Sequence, residues 1–177
     1  RSGRRGTSSD IVHWTTPSPI CWGDGVTIDY ESKRTYATRV IAAEPATIFA
    51  VLRDPTLHSV IDGSGSVKGA RGKPQLLEMG SRFGMNMRIG LPYFITNRVV
   101  EFEMDRRIAW EHFGKHRWRW ELEPTEGGTL VTETFDGSTS RSPWYIEKGG
   151  YPARHEPAIE RSLDRLEAFI VHKSNAL

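Results

Sequence analysis

From Phe83 onward, apolar residues recur at every second position in one run after another, and beyond Pro157 the interval switches to fours and threes. That switch of period limits the fold more than any other feature. Several period-two runs joined by short turns make an antiparallel sheet with one apolar face, and a terminal run of helical period makes the element that covers it. Phe83, Met85, Met87 and Ile89 alternate with Arg82, Gly84, Asn86 and Arg88, and Gly90-Leu91-Pro92 turns the chain into a long strand over 93–104. Asp105-Arg106-Arg107 is the next turn. Ile108, Trp110 and His112 then alternate with Ala109, Glu111 and Phe113, and Trp118, Trp120 and Leu122 alternate with Arg117, Arg119 and Glu121. Gly127-Gly128 is a hairpin turn before a last strand over 129–136. After a Gly-, Ser- and Pro-rich loop over 137–155, a helix is expected to begin at Pro157. Its apolar stripe is Ile159, Leu163, Leu166 and Ile170, and His172 and Lys173 suit its negative C-terminal end.

Upstream, 35–42 reads as a first strand. Glu44-Pro45-Ala46-Thr47 starts a helix with an apolar face of Ile48, Phe49, Val51 and Leu52. Asp54-Pro55 breaks it, and Pro55 opens a second short helix through Leu57, Val60 and Ile61. Gly63-Ser64-Gly65 is a turn, and Val67 belongs to a short strand. The expected class is α+β: a curved antiparallel sheet of about seven strands, two short helices after the first strand, and a long C-terminal helix lying across the hollow. A sheet bent that strongly leaves room beneath the helix for a pocket of roughly 300–1,000 Å³.

A length of 177 residues suits one domain, expected over 35–175. Residues 1–10 hold Arg1, Arg4 and Arg5 with nothing to build a core and are expected to be a disordered basic tail; 11–34 reads as an irregular arm, with a short strand near Val26 to Tyr30 and Trp14 and Trp22 pinning it to the body. The net charge of +2 is already present in that tail, so the remainder is balanced, which argues against a nucleic-acid partner. The lone Cys21 excludes an internal disulfide and a multi-cysteine zinc site. The chain begins without Met, as a processed or trimmed start would, and shows no secretory signal; with no apolar run of about 18 residues, a cytoplasmic protein without integral membrane association is expected.

Three segments together carry a family resemblance: V-I-A-A-E-P-A-T-I-F-A-V-L-R-D-P, R-V-V-E-F-E-M-D-R-R-I-A-W and A-I-E-R-S-L-D-R-L-E-A-F. They resemble the polyketide cyclase/dehydrase branch of the START-like, helix-grip superfamily, over about residues 35 to 173. The resemblance implies a cavity for a hydrophobic ligand (a lipid, polyketide or aromatic compound) between sheet and C-terminal helix. It equally admits a cyclase or dehydratase acting on a poly-β-keto substrate, without a cofactor.

Candidate ligand-binding residues are Phe83, Met85, Met87 and Ile89, whose pliable side chains fit varied apolar shapes, and Trp110, Trp118 and Trp120, whose flat rings can stack on a planar ligand. Ile159, Leu163 and Leu166 would close the pocket from the helix. Plain core packing is the alternative for all of them. Arg98 is expected to point inward with Phe94, Val100 and Phe102. Such an Arg, in the aromatase/cyclases of that family, is thought to hold a polyketide carbonyl or enolate. His112 is a candidate general base, or else a hydrogen-bonded structural histidine. Glu101 and Glu103 read as solvent-facing charges. Gly63, Gly65 and Gly69 miss the dinucleotide spacing, and no G-x-S-x-G elbow or metal-ligand spacing occurs. In Arg117-Trp118-Arg119-Trp120, alternation separates the arginines from the tryptophans, which argues against a platform for single-stranded nucleic acid.

Overall fold

The computed structural model describes residues 26–29, 32–142, 144 and 151–174. The tail over 1–10 and the pinning roles of Trp14 and Trp22 lie outside them. Eight strands form one antiparallel sheet: β1 (Val26–Asp29), β2 (Arg34–Ile41), β3 (Val67–Arg71), β4 (Arg82–Ile89), β5 (Leu91–Glu103), β6 (Arg107–Glu111), β7 (Arg117–Thr125) and β8 (Gly128–Asp136). Their order is β1-β2-β8-β7-β6-β5-β4-β3. The strand expected near Val26 is β1, and it makes the count eight rather than about seven. Between β2 and β3 lie α1 (Pro45–Leu52), a short 3-10 turn (Pro55–Leu57) and α2 (His58–Ile61). The long helix α3 is Tyr151–Ser174.

The meander from β3 to β8 follows from turns that the residues demand. Gly90, Asp105 and Gly128 all adopt positive φ, and aspartate is among the few residues with a side chain that enter that region at modest cost. At Gly128 a Cβ would sit 2.2 Å from the Ile41 carbonyl, so only glycine admits the closing contact between β8 and β2.

Helix α3 begins earlier than the apolar stripe predicts. Pro157 lies inside it, not at its first turn. The proline forfeits one amide hydrogen bond, and its exposed ring meets no neighbouring element that would force the helix to end. The stripe itself is buried as expected: Ile159, Leu163, Leu166 and Ile170 are each at most 1% exposed. They pack mainly over β2, β1 and β8, with α2 alongside. Arg39 on β2 ties down the far half of α3 by pairing with Asp164 and, at 3.1 Å, Glu167.

Candidate functional site

Residues directly opposite each other in an antiparallel pair point to the same side. The register therefore maps the concave face row by row. One row reads Thr35, Phe135, Trp118, Trp110 and Val99, and the next Ala37, Glu133, Trp120, Ile108 and Phe102. On β4 and β5, Phe83 faces Asn97, Met85 faces Ile95 and Met87 faces Tyr93.

The two ends of this wall differ. At one end α1 is a plug: Ile48, Phe49, Val51 and Leu52 are fully buried, and Phe49 meets Phe102 edge-on at 5.5 Å. At the other end Trp110 and Trp118 stay half-buried although Phe83, Met85, Met87 and Trp120 beside them are buried. Among the described residues, no comparable plug covers that second end.

Sequence reasoning placed Phe83, Met85, Met87, Trp110, Trp118 and Trp120 inward, and they line this wall. Ile89 does not join them. It is 71% exposed, because β4 and β5 run on past the helices that cover the sheet. Arg98 is likewise corrected: it is exposed on the convex face, and Asn97 and Val99 take the inward positions. The cause is a bulge between Val99 and Glu101, which inserts one residue and reverses the alternation. Phe102 does point inward, so its parity cannot be carried back to Arg98. His112 sits half-buried just past β6, where its Nδ1 accepts the Gly114 amide at 3.0 Å and its ring meets His116 at 4.2 Å. Glu101 is more than a surface charge. It accepts from Arg119 Nε at 2.8 Å, Arg119 Nη2 at 2.7 Å and Arg117 Nη1 at 3.0 Å on the convex face, and those bonds hold its carboxyl below the usual range. Arg117 and Arg119 are thus separated from Trp118 and Trp120, as alternation requires.

Two buried titratable residues at this wall escaped the sequence reading. His58, on α2, is buried with its Nε2 2.8 Å from the Leu52 carbonyl; it stacks on Trp110 at 4.8 Å and meets Phe83 edge-on at 5.5 Å. Burial pushes its imidazole below the ordinary value, so the ring is neutral and donates to that carbonyl. Glu133, in the middle of β8, is 4% exposed and lies across from Trp120. Its hydrogen-bonding neighbour is Ser162 of α3, and its Oε2 is buried with no partner among the described residues. Burial drives this carboxyl well above the ordinary range and so favours its protonated, neutral form. A glutamate inside a strand reads as a surface charge, and only the facing helix shows otherwise.

At the end away from α1, two imidazoles stand against Phe135, and one of them also meets Trp118. His116 lies 5.2 Å and His155 4.3 Å from the Phe135 ring, and His155 is 5.0 Å from Trp118. Burial, then the neighbouring His112 and His155, push His116 down to about 4. Among the described residues no His, Cys, Asp and Glu group could hold a metal ion. A separate cleft of about 330 Å³ lies at the sheet edge, lined by Pro55, Thr56, Arg71, Lys73, Arg82 and Phe83 among others; it is not the expected space beneath α3.

Comparison with known proteins agrees with this geometry. The model of a family described as "Polyketide cyclase / dehydrase and lipid transport" matches residues 32–170. The chain is 37% identical over 162 residues to "Uncharacterized protein Rv0088" of Mycobacterium tuberculosis, spanning 85% of this chain and 71% of that one. Solved structures share the fold. Protein NE0264 from Nitrosomonas europaea superposes with a TM-score of 0.63 at 18% identity, covering 85% of this chain and 100% of its own. The AHSA1-like protein from Aeromonas hydrophila gives a TM-score of 0.51 at 21% identity, covering 76% and 95%.

Proposed function

We propose that this chain, which belongs to the polyketide cyclase/dehydrase and lipid transport family, binds a hydrophobic small molecule (a lipid, polyketide or aromatic compound) against the concave wall of its sheet. The observation that carries this reading is the wall itself. Phe83, Met85, Met87, Trp110, Trp118 and Trp120 share one face, and its two half-buried tryptophans lie away from the α1 plug. An apolar surface with a few placed polar groups is what ligand sites present. Glu133 is such a group. Burial favours its protonated form, which offers one donor and one acceptor and suits a ligand carrying a single hydroxyl or carbonyl in an apolar body.

Cyclisation or dehydration of a poly-β-keto substrate is the weaker reading. Arg98 sits outside the concave face and the Gly114 amide occupies one ring nitrogen of His112, which gives that reading less support than the wall gives binding. Native mass spectrometry of the purified chain tests the binding reading. A co-purifying apolar mass that is retained by Arg98→Ala and lost or weakened at least tenfold by Trp110→Ala is expected. Retention by a correctly folded Trp110→Ala protein, with loss on Arg98→Ala, would overturn the assignment of the concave wall.

A further inference from the structure

The edge made by β3, β4 and β5 differs from the rest of the sheet in charge and in exposed apolar area. On the convex side of β6 and β7, Arg107, Arg117 and Arg119 each face a glutamate. From Val67 to Arg98 the chain instead holds Lys68, Arg71, Lys73, Arg82, Arg88 and Arg98 against the single carboxylate of Glu78, and Glu78 turns to Arg53 at 3.6 Å. All six cations are exposed, and none has a carboxylate partner among the described residues. Arg82 and Arg98 stand directly opposite each other on adjacent strands, a pairing of like charges that disfavours the isolated sheet.

The same edge ends in the hairpin joining β4 to β5. There Ile89 is 71%, Leu91 81% and Phe94 62% exposed, with Tyr93 beside them. The Arg71 guanidinium lies 4.3 Å from the centre of the Phe94 ring, on the face that carries Arg82, Arg88 and Arg98, while Ile89, Leu91 and Tyr93 stand on the other face of the same hairpin. Ile89 and Leu91 face each other across the strands and continue the file of Met85 and Met87 outward from the buried wall. Exposed aliphatic and aromatic side chains next to uncompensated basic residues are the two components of attachment to an anionic bilayer. Nucleic acid would satisfy the cations but leave Ile89 and Leu91 in water.

We propose that the β3-β4-β5 edge docks this protein on an anionic lipid bilayer, with the hairpin tip entering the interface and Lys68 and Arg88, the cations nearest that tip, lying over the headgroups. The attachment is peripheral, since among the described residues no helix is long and apolar enough to cross a membrane. It goes beyond the ligand-binding reading and is measured apart from it. The docked tip would bring the end of the apolar wall away from α1 towards the lipid.

Vesicle flotation with the full chain tests the proposal, using phosphatidylcholine vesicles with and without phosphatidylglycerol, at low and high salt. The expected result is flotation only with phosphatidylglycerol, weakened by salt. The double variant Lys68→Glu/Arg88→Glu should bind at least tenfold more weakly, since each basic residue near an anionic leaflet contributes roughly fivefold. Leu91→Asp should also lose flotation, and Ile89→Ser gives the same readout if Leu91→Asp melts early. The basic tail is present in every arm, so differences between variants belong to the edge. No flotation of the wild-type chain, equal flotation with neutral vesicles, or indifference to both kinds of variant would overturn the proposal. So would a single-stranded oligonucleotide that binds more tightly than vesicles and tolerates Leu91→Asp. A chain that carries a ligand in mass spectrometry but ignores vesicles would overturn docking alone.

Discussion

A carboxyl group buried opposite an indole persists either by pairing with a cation or by keeping its proton, and Glu133 has no ion pair among the described residues. Its raised pKa makes stability depend on pH in a defined direction. Above about pH 4.5 the unfolded chain releases this proton while the folded chain holds it. Stability therefore falls by about 1.4 kcal/mol per pH unit until the folded pKa is passed, and is level beyond it. Glu133→Gln removes that slope, so the variant should gain on wild type in urea midpoints as pH rises from about 4.5; parallel curves would show that the carboxyl is not held neutral. The residues of the wall were legible where alternation is clean, as at Phe83, Met85 and Met87. They were not legible where two neighbours are both apolar. Val99-Val100 hides a bulge, and the bulge decides which way Arg98 points. Ile89 shows a different limit, because periodicity reports a strand's faces and not how far another element covers them.

Among the elements, α2 and α3 are joined by contacts that no periodicity announces. The Gly63 amide donates to Ser162 Oγ at 2.9 Å, Arg161 Nε donates to the Gly63 carbonyl at 2.8 Å, and Arg165 Nη1 donates to the Asp62 carbonyl at 2.5 Å. A Cβ on Gly63 would lie 2.0 Å from the Ala158 carbonyl and 2.4 Å from the Ser162 amide, both backbone atoms that cannot swing aside. Gly63→Ala should therefore destabilise by on the order of 3 kcal/mol or more, against roughly 1–2 for Ser162→Ala, in chemical denaturation. Equal small effects would mean that α2 docks without this close approach. The Gly-Ser-Gly sequence signalled a turn at that point, but its role as a clasp depends on a helix almost a hundred residues away. The start of α3 is hidden for a related reason: Pro157 is a common first-turn residue, and nothing local to it says that the helix extends another turn upstream.

At the scale of the molecule, the wall has one end plugged by α1 and another edged by His112, His116 and His155. His116 is held down to about 4, against an ordinary 6.5. The folded state thus binds fewer protons than the unfolded chain between those values, so stability present above about pH 6.5 is lost as pH falls towards 4. The loss is on the order of 3 kcal/mol, and its sign is opposite to that of Glu133. His116→Gln should flatten the fall in melting temperature over that window while leaving it unchanged near neutrality, and a variant that declines in parallel with wild type would assign the acid lability elsewhere. The meander from β4 to β8 was legible from its turns and periods, whereas the neighbour of β2 was not, because nothing local to either strand names its partner. That pairing has its own outcome. Arg34 on β2 meets Asp136 at the end of β8. During translation the first of these strands leaves the ribosome and must wait for about a hundred more residues, roughly 5–20 s at ordinary elongation rates, before its mate exists. Over that interval β2 can pair with β1 alone, which makes the nascent chain, rather than the finished protein, the form most in need of a chaperone.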